Sequence, residues 1–137
     1  MIPPTASLGR VLIADDDDGV RRSLTAVLSR VGFEVTAVDD GEPAIAIAGA
    51  AAFEIVIVDL HMRTGGLAVI LHYKQRYGAG VYCAVLSGED DEATREACLA
   101  AGADEVFCKP FPAVDLRRRL TEVALALRAS AVGERSA

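Results

Sequence analysis

Four consecutive aspartates, Asp15 to Asp18, follow the apolar run Val11-Leu12-Ile13-Ala14, and a fifth, Asp59, closes a second run, Ile55-Val56-Ile57-Val58. Two strands that end in carboxylates and meet build a pocket of negative charge. Crowded carboxylates resist ionising together, so such a pocket calls for a cation. Ligands that are all oxygen select a hard ion, and Mg²⁺ is the expectation. Further on, Ser87 follows Val85-Leu86, and Lys109-Pro110 follows Val106-Phe107-Cys108. Carboxylates, a hydroxyl and an ammonium, each at the end of an apolar run, are the parts for handling one phosphoryl group.

The elements that must position these groups alternate between short β-rich runs and helical patterns, which argues for parallel β-α units with helices on both faces. Strands are expected over 10–15, 33–38, 55–59, 81–86 and 104–108. The first helix carries Val20, Leu24, Val27, Leu28 and Val31 on one stripe. Asp17 or Asp18 can cap its start, and Gly32 suits its end. Asp40-Gly41 signals a turn, and Pro43 fits the first turn of an Ala-rich helix to about Ala52. Gly65-Gly66 precedes a helix over 67–77. A fourth helix runs over 90–101, with Glu89, Asp90 and Asp91 favoured at its positive end. Pro112 opens a last helix to about Arg128, and the small, polar residues 129–137 read as a frayed tail. The pattern is (βα)5: a doubly wound, five-stranded parallel sheet, flavodoxin-like, in a single domain over 10–128 between an N-terminal extension (1–9) and the tail. Ligands of such sheets bind beyond the carboxyl ends of the strands, where all the groups above fall.

Composition narrows the function. With 137 residues and 52% apolar content, the chain can bury a real core. A net charge of −6 argues against a nucleic-acid surface. Cys83, Cys98 and Cys108 show no metal-type spacing and read as reduced packing residues of a cytoplasmic protein. No secretory signal opens the chain, and the longest apolar stretch, Ala44 to Phe53, is well short of the roughly 20 residues that span a bilayer. No membrane partner is expected.

In order along the chain, Val11-Leu12-Ile13-Ala14-Asp15-Asp16, Asp40-Gly41, Val58-Asp59-Leu60-His61-Met62, Leu86-Ser87-Gly88, Gly102-Ala103-Asp104 and Lys109-Pro110-Phe111 resemble the receiver domain of two-component response regulators, the chemotaxis-regulator type. The resemblance covers nearly the whole chain and implies roles. Asp59 is the implied phosphoacceptor. Asp16 binds Mg²⁺ directly, Asp15 helps hold it through water, and the main-chain carbonyl of His61 is a further ligand. Ser87, the Gly88 amide and Lys109 hold phosphoryl oxygens, and the side chains of His61 and Glu89 flank the phosphate and tune its loss. A cis Lys109-Pro110 bond is implied as well. The implied donor is a phosphohistidine on a sensor histidine kinase or histidine phosphotransfer protein. Output is expected by contact with a downstream protein effector, from a monomer or a phosphorylation-dependent homodimer. The short tail favours a freestanding chain over a fragment of a longer regulator.

Each feature has a plainer meaning alone. The acidic run can be a solvated helix cap, Asp59 a strand-end residue, Ser87 a turn residue and Lys109 a surface lysine. His61 and His72 are too isolated to pair on a metal, and Arg117-Arg118-Arg119 reads as a solvated helix face or a contact for an acidic partner. Two other functions compete with a receiver that modifies itself without turning over substrate. A Mg²⁺-dependent phosphohydrolase working through an aspartyl phosphate needs an acid–base Asp two residues after its nucleophile, where this chain has His61. A phosphorylation-independent adaptor has no need of the complete acidic set. An FMN binder is disfavoured by the lack of a Ser/Thr-rich phosphate loop after the first strand. The chain departs from the family pattern at Val106, where an aromatic is common, at Arg63 in place of a proline in a loop one residue short, and at Ser87-Gly88 in place of Thr-Ala. Without a ring at 106, phosphorylation is expected to shift the helix-four, strand-five, helix-five surface only modestly.

Overall fold

The computed structural model describes residues 7–110 and 112–136, with side chains as far as Ser130. Phe111, part of the motif above, lies outside the described residues, as do residues 1–6 of the expected extension. The strands are β1 (Gly9–Ala14), β2 (Phe33–Val38), β3 (Ile55–Asp59), β4 (Tyr82–Ser87) and β5 (Glu105–Cys108), and the helices are α1 (Asp18–Arg30), α2 (Gly41–Ala46), α3 (Gly66–Tyr77), α4 (Glu92–Ala100) and α5 (Ala113–Ser136). All strands are parallel in the order β2-β1-β3-β4-β5. The chain steps from β1 out to β2 and then back across β1 to β3. The strand order therefore reverses between β1 and β3, and a doubly wound sheet opens its binding crevice at that point.

Every residue of β3 is buried, as a central parallel strand with a helix on each face requires. Alternate side chains feed two cores. Leu12, Val56, Val58 and Val85 pack against Ala44 of α2, Val69, Ile70 and Tyr73 of α3 and Cys98 of α4. Val11, Ile13, Ile57 and Leu86 pack against Leu24 and Leu28 of α1 and Leu116 and Leu120 of α5. Each fully buried Leu or Ile contributes roughly 1.5–3 kcal/mol. Among the described residues no helix is long and apolar enough to cross a membrane.

Several bounds differ from expectation by a residue or two, and α2 and α5 differ by more. The α2 segment ends at Ala46 and tightens into a 3₁₀ turn over Ile47–Gly49 instead of continuing to Ala52. Tyr73 and Tyr77, one turn apart on α3, donate their hydroxyls to the Ala44 and Ala48 carbonyls, which competes with the regular ladder. At the other end of the chain, α5 continues to Ser136, through most of the expected tail. Alanine is the best helix former, and residues 129–136 contain no proline. β1 starts at Gly9, so it takes in the last residue of the expected extension.

Candidate functional site

The acidic run divides its labour by position. Asp15 follows β1 directly and is fully buried. Its Oδ1 accepts the Asp17 N–H at 2.9 Å, and its carbonyl accepts from Arg21 Nη1 at 2.6 Å. Asp17 caps α1, accepting the Val20 N–H at 3.0 Å. Asp18 lies in the first turn and pairs with Arg21. Asp16 is exposed and makes no hydrogen bond among the described residues. One carboxylate oxygen from each of Asp15, Asp16 and Asp59 lies within 4.8 Å of the others.

Lys109 completes the group from the end of β5. Its Nζ lies 3.3 Å from Asp15 Oδ2 and 3.4 Å from Asp59 Oδ1. The peptide bond to Pro110 is cis. Burial alone would lower the Lys109 ammonium, but the two carboxylates outweigh it and hold its pKa above the ordinary value. Burial pushes the Asp59 carboxyl up, and Asp15 pushes the same way; Lys109 and the His61 N–H oppose them and lose. The same contact thus accompanies upward shifts in both partners, because the lysine gains two anions whereas Asp59 gains one cation and faces another anion. The protein's own groups do not hold the Asp59 carboxyl low, since one ammonium serves two carboxylates.

Three carboxylates facing one ammonium, all donors oxygen, suit a small hard dication, and Asp15, Asp16 and Asp59 are the side chains able to hold it. His61 donates its main-chain N–H to Asp59 Oδ1 at 3.4 Å, so its peptide lies beside that carboxylate. Its imidazole Nε2 stands 2.8 Å from Glu89 Oε1. Gly66 keeps the β3–α3 loop tight: a Cβ there would meet the Asp59 carbonyl at 2.4 Å.

Ser87 ends β4, one residue past Leu86, the register partner of Asp59, and is fully buried. Its hydroxyl is engaged with Glu89, accepting the main-chain N–H at 3.0 Å and donating to the carbonyl at 3.2 Å. Gly88 is exposed, with open space where a side chain would stand. Val106 faces the core of α2, α3 and α4, while Phe107 faces that of α1 and α5, so the neighbouring ring cannot stand in for one at 106. Cys83, Cys98 and Cys108 are free thiols, the first two buried. His72 lies edge-on to Tyr73.

Two residues beside the site escape a sequence reading. Asp40 caps α2 and reaches across to the β3–α3 loop, accepting the Gly41 and Thr64 N–H groups at 2.8 Å each. The Thr64 N–H holds its carboxyl below the ordinary value, against a smaller effect of burial. Asp40-Gly41 marks the turn, but nothing local marks a partner 24 residues away. Thr94, on α4, binds the second oxygen of Glu89 at 3.0 Å.

Residues 11–121 match the family described as the response regulator receiver domain. The response regulator MprA of Mycolicibacterium vanbaalenii is 35% identical over 112 residues, 81% of this chain and 48% of its own length. The transcriptional regulatory protein QseB of Haemophilus influenzae is 30% identical over 112 residues, 81% of this chain and 50% of its own. The chain therefore spans about half the length of the curated relatives it matches. Among solved structures, the CheY-like receiver domain protein of Methanospirillum hungatei superposes with a TM-score of 0.83 at 23% identity, covering 90% of this chain and 99% of its own. Vibrio cholerae CheY4 gives 0.77 at 27% identity, covering 83% and 97%. Sequence, sheet order and the convergence of acids and lysine at the strand ends agree: the chain belongs to the response regulator receiver domain family.

Proposed function

We propose that this domain takes a phosphoryl group from a phosphohistidine onto Asp59 and passes the signal on by protein–protein contact. The observation that carries the reading is the position of Lys109 Nζ, 3.3 Å from Asp15 and 3.4 Å from Asp59, beside three converging carboxylates. An Asp59 oxygen attacks phosphorus, the P–O bond forms, the P–N bond to the donor histidine breaks, and the imidazole leaves with a proton. Two anions must approach one another, and little covalent help is needed beyond positioning and charge. Lys109 supplies one positive charge at the acceptor. Mg²⁺, held by Asp15, Asp16 and Asp59 with the His61 carbonyl, would supply the charge that offsets the remaining repulsion. Ser87 and the Gly88 amide are the donors for phosphoryl oxygens on the far side. For Ser87 to serve, its hydroxyl proton must leave the Glu89 carbonyl.

The donor is a sensor histidine kinase or a histidine phosphotransfer protein, as the family's place in two-component systems implies. Incubation with phosphoramidate and Mg²⁺, followed by intact mass, tests the reading. A single added phosphoryl group, absent in Asp59→Asn and in EDTA, is expected. An unmodified native chain would instead favour an adaptor that works without phosphate.

A further inference from the structure

Glu89 is held at its main chain and at both carboxylate oxygens. Ser87 binds both its N–H and its carbonyl, at 3.0 and 3.2 Å. Its carboxylate gives Oε1 to His61 Nε2 at 2.8 Å and Oε2 to the Thr94 hydroxyl at 3.0 Å. His61 stands two residues past Asp59, and Glu89 two residues past Ser87, on neighbouring strands. The His61–Glu89 pair therefore crosses from the β3–α3 loop to the β4–α4 loop, over the gap between the two strand ends. Both partners are more than half exposed or nearly so, at 64% and 50%, and such pairs hold weakly without further support. Thr94 is half-buried on the first turn of α4 and is the only group of that helix bound to the Glu89 carboxylate among the described residues.

The Thr94 hydroxyl also lies 2.8 Å from Asp91 Oδ2, and it has one proton for two carboxylates. The helix cap does not depend on that proton, because Asp91 Oδ1 takes the Thr94 main-chain N–H at 2.7 Å. Loss of the hydroxyl releases the second Glu89 carboxylate oxygen and leaves α4 capped.

We propose that Thr94 is a positioning residue that keeps the His61–Glu89 bridge closed over the phosphoacceptor and so slows the loss of phosphate. The proposal rests on Asp59 being the acceptor. In the loss reaction a water oxygen attacks phosphorus, the P–O bond to Asp59 breaks, the carboxylate is regenerated, and the water's protons pass to phosphate and solvent. A bridge pinned at both carboxylate oxygens stands in the path of that water. A bridge pinned at one swings aside.

The test loads native, Thr94→Val and Thr94→Ser protein with phosphoramidate and Mg²⁺, removes the donor and follows decay by intact mass. The ring resonances of His61 are recorded in parallel on unphosphorylated protein. Thr94→Val should shorten the phosphoprotein lifetime about two- to tenfold, the effect of one hydrogen bond, and shift the His61 ring signals. Thr94→Ser, which keeps the hydroxyl, should restore both. A lifetime in Thr94→Val equal to or longer than native, in protein that labels normally, overturns the proposal and leaves Asp59 as acceptor. A native chain that takes no label overturns the acceptor reading itself, and this proposal with it.

Discussion

Replacing Asp16 by asparagine should change the stability of the domain in opposite directions with and without Mg²⁺. Asp16 is exposed and makes no hydrogen bond among the described residues, so the substitution removes a charge and no contact. It stands within 4.8 Å of Asp15 and Asp59, and at that distance two unit charges repel by about 0.9 kcal/mol at the dielectric of water. Two such repulsions, screened by salt over a Debye length of about 10 Å, sum to about 1 kcal/mol. In EDTA, Asp16→Asn should therefore be the more stable protein. A dication bound by the folded state alone adds about 1.8 kcal/mol at about twenty times its dissociation constant, and the variant forfeits most of this. In Mg²⁺ the order should reverse. Urea unfolding followed by circular dichroism reads both arms; with a slope near about 2 kcal/mol per molar, the EDTA midpoint should rise by about 0.5 M. A variant less stable than native in EDTA, or one that gains as much from Mg²⁺ as native does, would refute the electrostatic account of the site.

Asp40→Ala should release the β3–α3 loop, seen as faster exchange of the Thr64 amide. The native Asp40 carboxyl sits below its ordinary value of 3.8, so its contribution to stability is complete above that pH and disappears as the pH falls through the lower folded value; a loop that loosens on raising the pH would contradict the assignment. Thiol reagents should modify Cys108 in the native state and reach Cys83 and Cys98 only on unfolding, since both are fully buried and burial pushes the Cys83 thiol up to about 12. Tyr73→Phe should cost about 1–2 kcal/mol in a urea titration, because the Ala44 carbonyl loses a buried partner at 2.7 Å; a neutral substitution would mean that water or the helix ladder replaces it.

The strands and the site were legible because their signals are local. Ile55-Val56-Ile57-Val58-Asp59 can be little else than a central strand, and a doubly wound order carries every strand end to one edge. Asp15, Asp16, Asp59 and Lys109 converge for that reason. What stayed hidden depends on partners distant in sequence. The early end of α2 is imposed by tyrosines 29 residues downstream. The anchor of Asp40 on Thr64 and the support of Glu89 by Thr94 need the loops folded against one another before either can be seen. The length of α5 was a misreading of composition: small residues suggest a tail, yet alanine favours helix. The upward displacement of Asp59 required knowing how deeply it is buried.

The paired tyrosines have a consequence for how the molecule comes together. The stretch 41–49 is short, with two β-branched residues and a glycine at each end, a poor prescription for a helix in isolation. Its shape is borrowed from α3 through two hydroxyls spaced one turn apart. That flank should therefore order only once α3 has docked and should be the first to let go when α3 is weakened, whatever happens at the acidic edge.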